Sequence, residues 1–154
     1  MEARQTDLIA VRPVGPADRS EWGRLYAEYL AFYETRLEDE QVERVWDWLM
    51  LGDHALRGLV AVGTTGQLIG LAHYREFVRP SAASLGGYLD DLFVDPAERA
   101  SGVADALLAA LRDIAMDSGW SVVRWITADN NYRARSKYDG YALRTSWVTY
   151  DMPT

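Results

Sequence analysis

Apolar residues change period several times along the chain, and each change marks a predicted element. Ile9-Ala-Val-Arg12 alternates briefly and reads as an edge strand. Gly15-Pro16-Ala17-Asp18 then carries the marks of a helix start. Glycine can cap, proline suits the first helical position, and the acid faces the positive end of the dipole. Trp22, Leu25, Tyr26, Tyr29, Leu30 and Tyr33 follow at helical spacing. A second helix is predicted over Glu38 to Leu51, with an acidic first turn, a stripe of Val42, Val45, Trp46 and Leu49, and Gly52 as its stop. Residues 58–78 read as a hairpin, with strands at 59–62 and 67–78 around the turn Gly63-Thr-Thr-Gly66. Small residues through 79–87 read as a loop. Tyr88 to Val94 is the next strand, closed by Asp95-Pro96.

The strongest helical signal comes next. Val103, Ala104, Leu107, Leu108, Leu111, Ile114 and Ala115 share one face, Asp105, Arg112, Asp113 and Asp117 the other, and Gly119 ends the helix after Ser118. Ser121 to Ala128 is β-branched and strand-like, Asn131 to Tyr141 is a short polar helix, and Thr145 to Met152 is a closing strand. The predicted order is β-α-α-β-β-β-α-β-α-β, without repeat or linker.

The stretch 88–111, YLDDLFVDPAERASGVADALLAAL, runs from a strand through a short turn into that helix. Free N–H groups and the dipole at such a helix start suit an anion such as a pyrophosphate. Gly102 admits close backbone approach and Arg99 adds charge. The pattern is neither a P-loop nor a Rossmann turn, and it equally describes the start of an ordinary core helix.

Composition narrows the chemistry. The 154 residues suggest one domain, and 49% hydrophobic with 25% charged residues is ordinary for a globular chain. With no cysteine there is no thiolate metal site, disulfide or cysteine nucleophile, which fits a reducing, cytoplasmic setting. His54 and His73 alone make no metal constellation. No apolar run approaches a membrane span, and MEARQTDLIAVRP lacks a signal-peptide core. A net charge of −7 without a basic stripe argues against a nucleic-acid partner and suits a cationic small molecule.

Arg99-x-x-Gly102-x-Ala104, directly after Leu92-Phe-Val-Asp-Pro96, resembles the Arg/Gln-x-x-Gly-x-Gly/Ala motif of the GCN5-related N-acetyltransferase (GNAT) superfamily. Asn131-Tyr-Arg-Ala134-Arg-Ser-Lys-Tyr138 resembles that family's Asn-x-x-Ala-x-x-x-Tyr helix, and the element order agrees over essentially the whole chain. Within the superfamily the chain is most similar to small acetyltransferases of polyamine, amine or histone-lysine type. The resemblance implies an α/β fold with a mixed, mostly antiparallel central sheet flanked by helices. It implies a single N-acetyltransferase domain over 1–154, acetyl-CoA as co-substrate, no metal, a small amine acceptor and a homodimer. Protein-lysine acetylation and non-catalytic CoA binding are the alternative readings.

The same resemblance assigns roles. The strands at 88–94 and 121–128 splay, and pantetheine pairs with backbone near Phe93 and Val94. The pyrophosphate rests on N–H groups of Ser101, Gly102, Val103 and Ala104 beside Arg99, and Asn131 contacts pantetheine. An alkylammonium has a pKa of about 10.4, so a base must take its proton. Asp90 is the first candidate and Asp91 the second, and period-two alternation puts only one of them on the substrate face unless a bulge intervenes. Tyr138, a phenol near pKa ~10, suits the proton donor to a thiolate of pKa ~8.5. Three departures from the family's usual pattern predict weaker CoA binding. Ala100 restricts the backbone, Ser101 brings no cation, and Asp105 repels phosphate. Lys137 stands where an apolar residue is usual, and Ser146-Trp147 where Gly-Phe is usual.

Overall fold

The computed structural model describes residues 9–99 and 101–154. The N-terminal residues 1–8 and Ala100, with the backbone restriction expected of it, lie outside the described residues. Strand β1 (Ala10–Pro13) leads through a 3₁₀ turn (Pro16–Asp18) into α1 (Arg19–Phe32). Asp18 ties this joint together. Its carboxylate accepts the Gly15 N–H at 2.7 Å and a two-pronged bond from Arg12 at 2.7 and 2.9 Å. The Arg12 guanidinium holds that carboxyl below its ordinary range. Helix α2 (Asp39–Leu51) starts at Glu38, whose N–H bonds Gln41 Oε1 at 2.8 Å. Then come β2 (Arg57–Val62), β3 (Leu68–Arg79), β4 (Ser84–Val94), α3 (Val103–Ser118), β5 (Val123–Arg124) and α4 (Tyr132–Tyr138).

The strands lie in chain order, β1-β2-β3-β4-β5, antiparallel except for the parallel β4–β5 pair. One sheet face packs on α1 and α2 through Trp22, Leu25, Tyr26, Trp46, Leu71 and Phe93. The other packs on α3 through Leu59, Ala72, Tyr74, Leu89, Leu107 and Leu111. Burial of these apolar surfaces drives both layers together.

Three expectations need correction. The loop expected over 79–87 shrinks to a turn at Pro80–Ala82, and β4 starts at Ser84. Its small residues serve packing: a Cβ on Gly87 would come within 2.3 Å of the Trp120 ring. The strand expected over 121–128 is laddered only at Gly87↔Val123 and Tyr88↔Arg124. Residues 125–128 have no ladder partner among the described residues. The closing strand expected over 145–152 does not form, and residues 143–154 lie exposed. β-propensity alone makes no ladder where the chain offers no paired neighbour.

Candidate active site

The site grows from an irregularity in β4. His73 pairs with Asp91, but the next β3 residue, Tyr74, pairs with Leu89, so Asp90 is the extra residue of a β-bulge. The bulge reverses parity. Upstream of it, Leu89 faces α3; downstream, the odd residues Asp91 and Phe93 face α1. Asp90 bonds Arg75 Nε at 3.1 and 3.2 Å, and Arg75 shares the α1 face with His73 by period-two alternation. Both carboxylates therefore stand on the same side.

Their environments differ. Asp91 is the anchor of a buried chain. The Trp22 indole N–H donates to His73 Nε2 at 3.0 Å. An indole can only donate, so Nε2 accepts and the ring proton resides on Nδ1. From Nδ1 it is given to Asp91 Oδ2 at 2.8 Å, while Tyr29 O–H donates to Asp91 Oδ1 at 2.5 Å. His73 is 1% exposed and the Asp91 side chain 20%. Burial works to raise the Asp91 carboxyl, but the bonds from His73 and Tyr29 outweigh it and hold the group below its ordinary range. Asp90, 28% exposed at its side chain, moves the other way. Burial pushes it up, Arg75 opposes, and the charge of Asp91 adds to the rise. Two adjacent carboxyls pushed apart in this manner suit different tasks.

Around Asp91 the phenols of Tyr26, Tyr29 and Tyr33 gather, all pushed up chiefly by burial and further by its charge, Tyr26 to about 12. Tyr26 and Tyr29 stack at 5.7 Å, and Tyr29 meets Phe93 edge-on at 6.0 Å. A carboxylate behind aromatic rings is a setting for an ammonium group.

Beyond Asp91 a cleft of about 280 Å³ opens between the end of β4, the start of α3 and α4. Phe93, Val94, Arg99, Gly102, Val103, Ala104, Asn131 and Tyr138 all line it, with Tyr33 and Phe32 on the α1 side. Beyond Tyr88 the β4 edge has no ladder partner on this side, because β5 has parted from it. Gly102 sits in the left-handed region at φ 89, which favours glycine, and α3 begins at the next residue with its first N–H groups unpartnered within the helix. The Arg99 guanidinium lies 5.6 Å from the centre of the Phe32 ring. Burial, and then Tyr33, push the Tyr138 phenol up, and Trp125 packs edge-on against it at 5.3 Å.

Three sequence candidates do not line the cleft: Asp90 and Asp91, which precede its wall residue Leu92 on β4, and Ser101. The Ser101 N–H goes to the Glu98 carbonyl at 3.3 Å, and its hydroxyl bonds the same oxygen. Asn131 spends its Oδ1 on the Ala134 N–H at 3.4 Å, capping α4. The two departures at Asp105 and Lys137 prove to be partners. Lys137 Nζ lies 3.1 Å from both Asp105 oxygens, and Tyr141 O–H donates to Asp105 at 2.5 Å. The charge expected to repel phosphate is thus offset. The Trp22–His73 link is what sequence reasoning missed: the two residues are 51 positions apart and share no motif. Among the described residues no group of three His, Cys, Asp or Glu could hold a metal ion.

Known proteins share this fold. The Acetyltransferase (GNAT) family model matches residues 22–140. The D-amino-acid N-acetyltransferase HPA3 of Saccharomyces cerevisiae is 30% identical over 150 residues, covering 97% of this chain and 93% of that protein. In fold, the chain is similar to the ribosomal-protein-alanine N-acetyltransferase of Brucella melitensis biovar Abortus 2308. That match has a TM-score of 0.80 at 24% identity and covers 95% and 99% of the two chains. AAC(6')-Iy, solved with a bisubstrate CoA analogue, also matches with a TM-score of 0.80, at 19% identity over 95% and 97%. A mixed five-strand sheet, an opened β4 edge beside a helix start, and a family match across both motifs make this chain a member of the GNAT acetyltransferase family and an acyltransferase.

Proposed function

We propose that this chain moves the acetyl group of acetyl-CoA to the primary amine of a small cationic acceptor, polyamine-like or amino-acid-like, by direct attack in a ternary complex. It acts as a single catalytic domain in the cytoplasm, as a homodimer. The observation that carries the reading is the pair of unlike carboxylates on one sheet face, set beside a cleft whose helix start and open strand edge suit a pyrophosphate and a pantetheine arm. The yeast relative, a D-amino-acid N-acetyltransferase, supports an amino-acid-like acceptor.

Acetyl-CoA brings the thioester carbonyl; the chain supplies everything around it. N–H groups of Gly102, Val103 and Ala104 hold the pyrophosphate with Arg99. Ser101, its own N–H engaged, shapes the turn instead. The unpaired edge near Phe93 and Val94 receives pantetheine, and Asn131 meets it with its amide nitrogen. Asp91 stays ionised as a fixed negative charge toward the acceptor's ammonium. Asp90, with a carboxyl of raised pKa, takes the ammonium proton through a water. An N–H near Phe93 steadies the oxyanion, and Tyr138 gives its proton to the departing thiolate. The test is CoA release with polyamines, D- and L-amino acids, aminoglycosides and a lysine peptide as acceptors. Turnover confined to the lysine peptide overturns the small-acceptor reading.

A further inference from the structure

The sheet face that carries Asp90 and Asp91 continues away from the cleft as a row of side chains across three strands. Arg75 on β3 pairs with Tyr88 on β4, and Tyr88 pairs in turn with Arg124 on β5. Paired residues share a face, so two arginines flank one phenol ring on the α1 side. The Arg75 guanidinium lies 4.7 Å from the centre of the Tyr88 ring, and that of Arg124 lies 5.5 Å from the centre of Phe77. An aromatic face behind a guanidinium holds its plane in place.

Arg75 is tied at one corner only. Its Nε bonds Asp90 at 3.1 and 3.2 Å. Its two Nη atoms have no hydrogen-bond partner among the described residues, and the side chain is 44% exposed. End-on, such a pair of Nη groups presents the two parallel N–H donors that a carboxylate takes. Amine acetylation as such has no use for this fork. A positive charge beside an ammonium site works against binding unless the acceptor carries an anion next to its amine. An α-amino acid is such an acceptor. Its nitrogen and carboxyl carbon stand roughly 2.5 Å apart, so its two charges fit a carboxylate and a guanidinium that already touch. A polyamine laid along the same row brings a second ammonium against Arg75 and Arg124.

We infer that Arg75 sets the specificity of this site: its Nη groups bind the carboxylate of an α-amino acid whose amine lies against Asp90 and Asp91. Tyr88 steadies the guanidinium, and Arg124, on the far flank of Tyr88, adds attraction at longer range. Once the ammonium has given up its proton, the acceptor is an anion among two carboxylates, and Arg75 is the charge that keeps it there. The inference rests on the amine-acetylation reading and narrows its acceptor from small cations at large to α-amino acids.

The test is a matched-pair assay on the full chain. CoA release from acetyl-CoA is followed with alanine and phenylalanine, both enantiomers of each, and with their amides, in which a neutral group replaces the carboxylate. Each pair gives a ratio of kcat/KM, acid over amide. Comparing that ratio between proteins cancels the pKa of the acceptor's amine and any change that Arg75→Met brings to Asp90. In Arg75→Met the ratio falls by about 10–100-fold, the scale of a hydrogen bond to a charged group. In Arg124→Met it falls by no more than about fivefold, the scale of an exposed charge. A second arm needs no variant: N-acetylalanine inhibits the natural chain about 10-fold more strongly than N-acetylalaninamide. Equal inhibition by the two overturns the inference. So does an unchanged ratio in Arg75→Met with both acceptors slowed alike, which leaves Arg75 only a partner of Asp90. A fall in Arg124→Met as large as that in Arg75→Met overturns it as well. Turnover of polyamines with none of any amino acid overturns it while amine acetylation stands. No turnover of any amine removes both.

Discussion

Replacing His73 by phenylalanine keeps a ring of similar size but removes both of its bonds, and the cost divides into two parts with different pH behaviour. The Trp22 indole N–H loses its acceptor inside the core, which costs about 1–3 kcal/mol. Asp91 loses one of its two donors, and a hydrogen bond to a charged group is worth about 1.5–3 kcal/mol. Together these predict a loss of about 2.5–6 kcal/mol at pH 7.5, a large fraction of the roughly 5–15 kcal/mol that holds a domain folded. In the natural chain the Asp91 pKa is lowered on folding. Its stabilisation is complete above the unfolded value near ~3.9 and is lost as pH falls through the folded value. In the variant, burial is opposed by Tyr29 alone, so the folded pKa rises above the unfolded one. Stability is then recovered as pH falls through that raised value. The difference between the two proteins should shrink between pH 7.5 and pH 4.5 by the part of the Asp91 loss that comes from its rise above the unfolded value, at most about 1.5–3 kcal/mol. Urea unfolding at both pH values and one protein concentration reads it. A difference that is the same at both pH values, or below about 1 kcal/mol at both, refutes the buried relay.

The remaining predictions concern the cleft and its supports. Tyr138→Phe should lower kcat by about 100-fold or more near neutral pH while leaving the unfolding midpoint nearly unchanged; wild-type turnover across the pH range removes the phenol from its acid role. With Asp90 as base, kcat/KM should fall on the acid side at a pH above the ordinary aspartate value, and Asp90→Asn should abolish that limb. An unchanged limb in Asp90→Asn transfers the role to another group. Lys137→Met should expose the Asp105 charge to the phosphate site and weaken CoA binding by about 2–5-fold at low salt, the scale of an exposed ion pair. Adding Asp105→Asn should restore it, as calorimetry of the double-mutant cycle can show. Gly87→Ala should drive a Cβ into Trp120 and cost about 1–3 kcal/mol, read from the thermal midpoint.

What the sequence made legible was whatever short-range pattern encodes. The long periodic helix after Gly102, the hairpin around Gly63-Thr-Thr-Gly66 and the acidic first turn of the second helix all depend on neighbours within a few residues, and all stand within a residue or so of where expected. The family motifs placed Arg99, Gly102, Ala104, Asn131 and Tyr138 around one cleft. What stayed hidden depends on distant partners. Alternation alone cannot reveal that β4 carries a bulge at Asp90, and without the bulge Asp90 and Asp91 fall on opposite faces. Neither Trp22 nor His73 has a local signal for the bond between them, so His73 read as an ordinary strand residue. Asp105 and Lys137 each looked like a departure because their pairing joins two helices. The closing strand failed for a related reason. Its residues have the right character, but no ladder among the described residues receives them.

The central claim is that the β4 carboxylates and Tyr138 serve amine acetylation at the cleft. Its most direct measurement is acceptor-dependent release of CoA from acetyl-CoA, with mass spectrometry of the product, on the natural chain and Tyr138→Phe side by side. An N-acetylated small amine should form in step with CoA, and its formation should be lost in the variant despite retained CoA binding. CoA binding without turnover for any polyamine, amino acid, aminoglycoside or lysine peptide would contradict it.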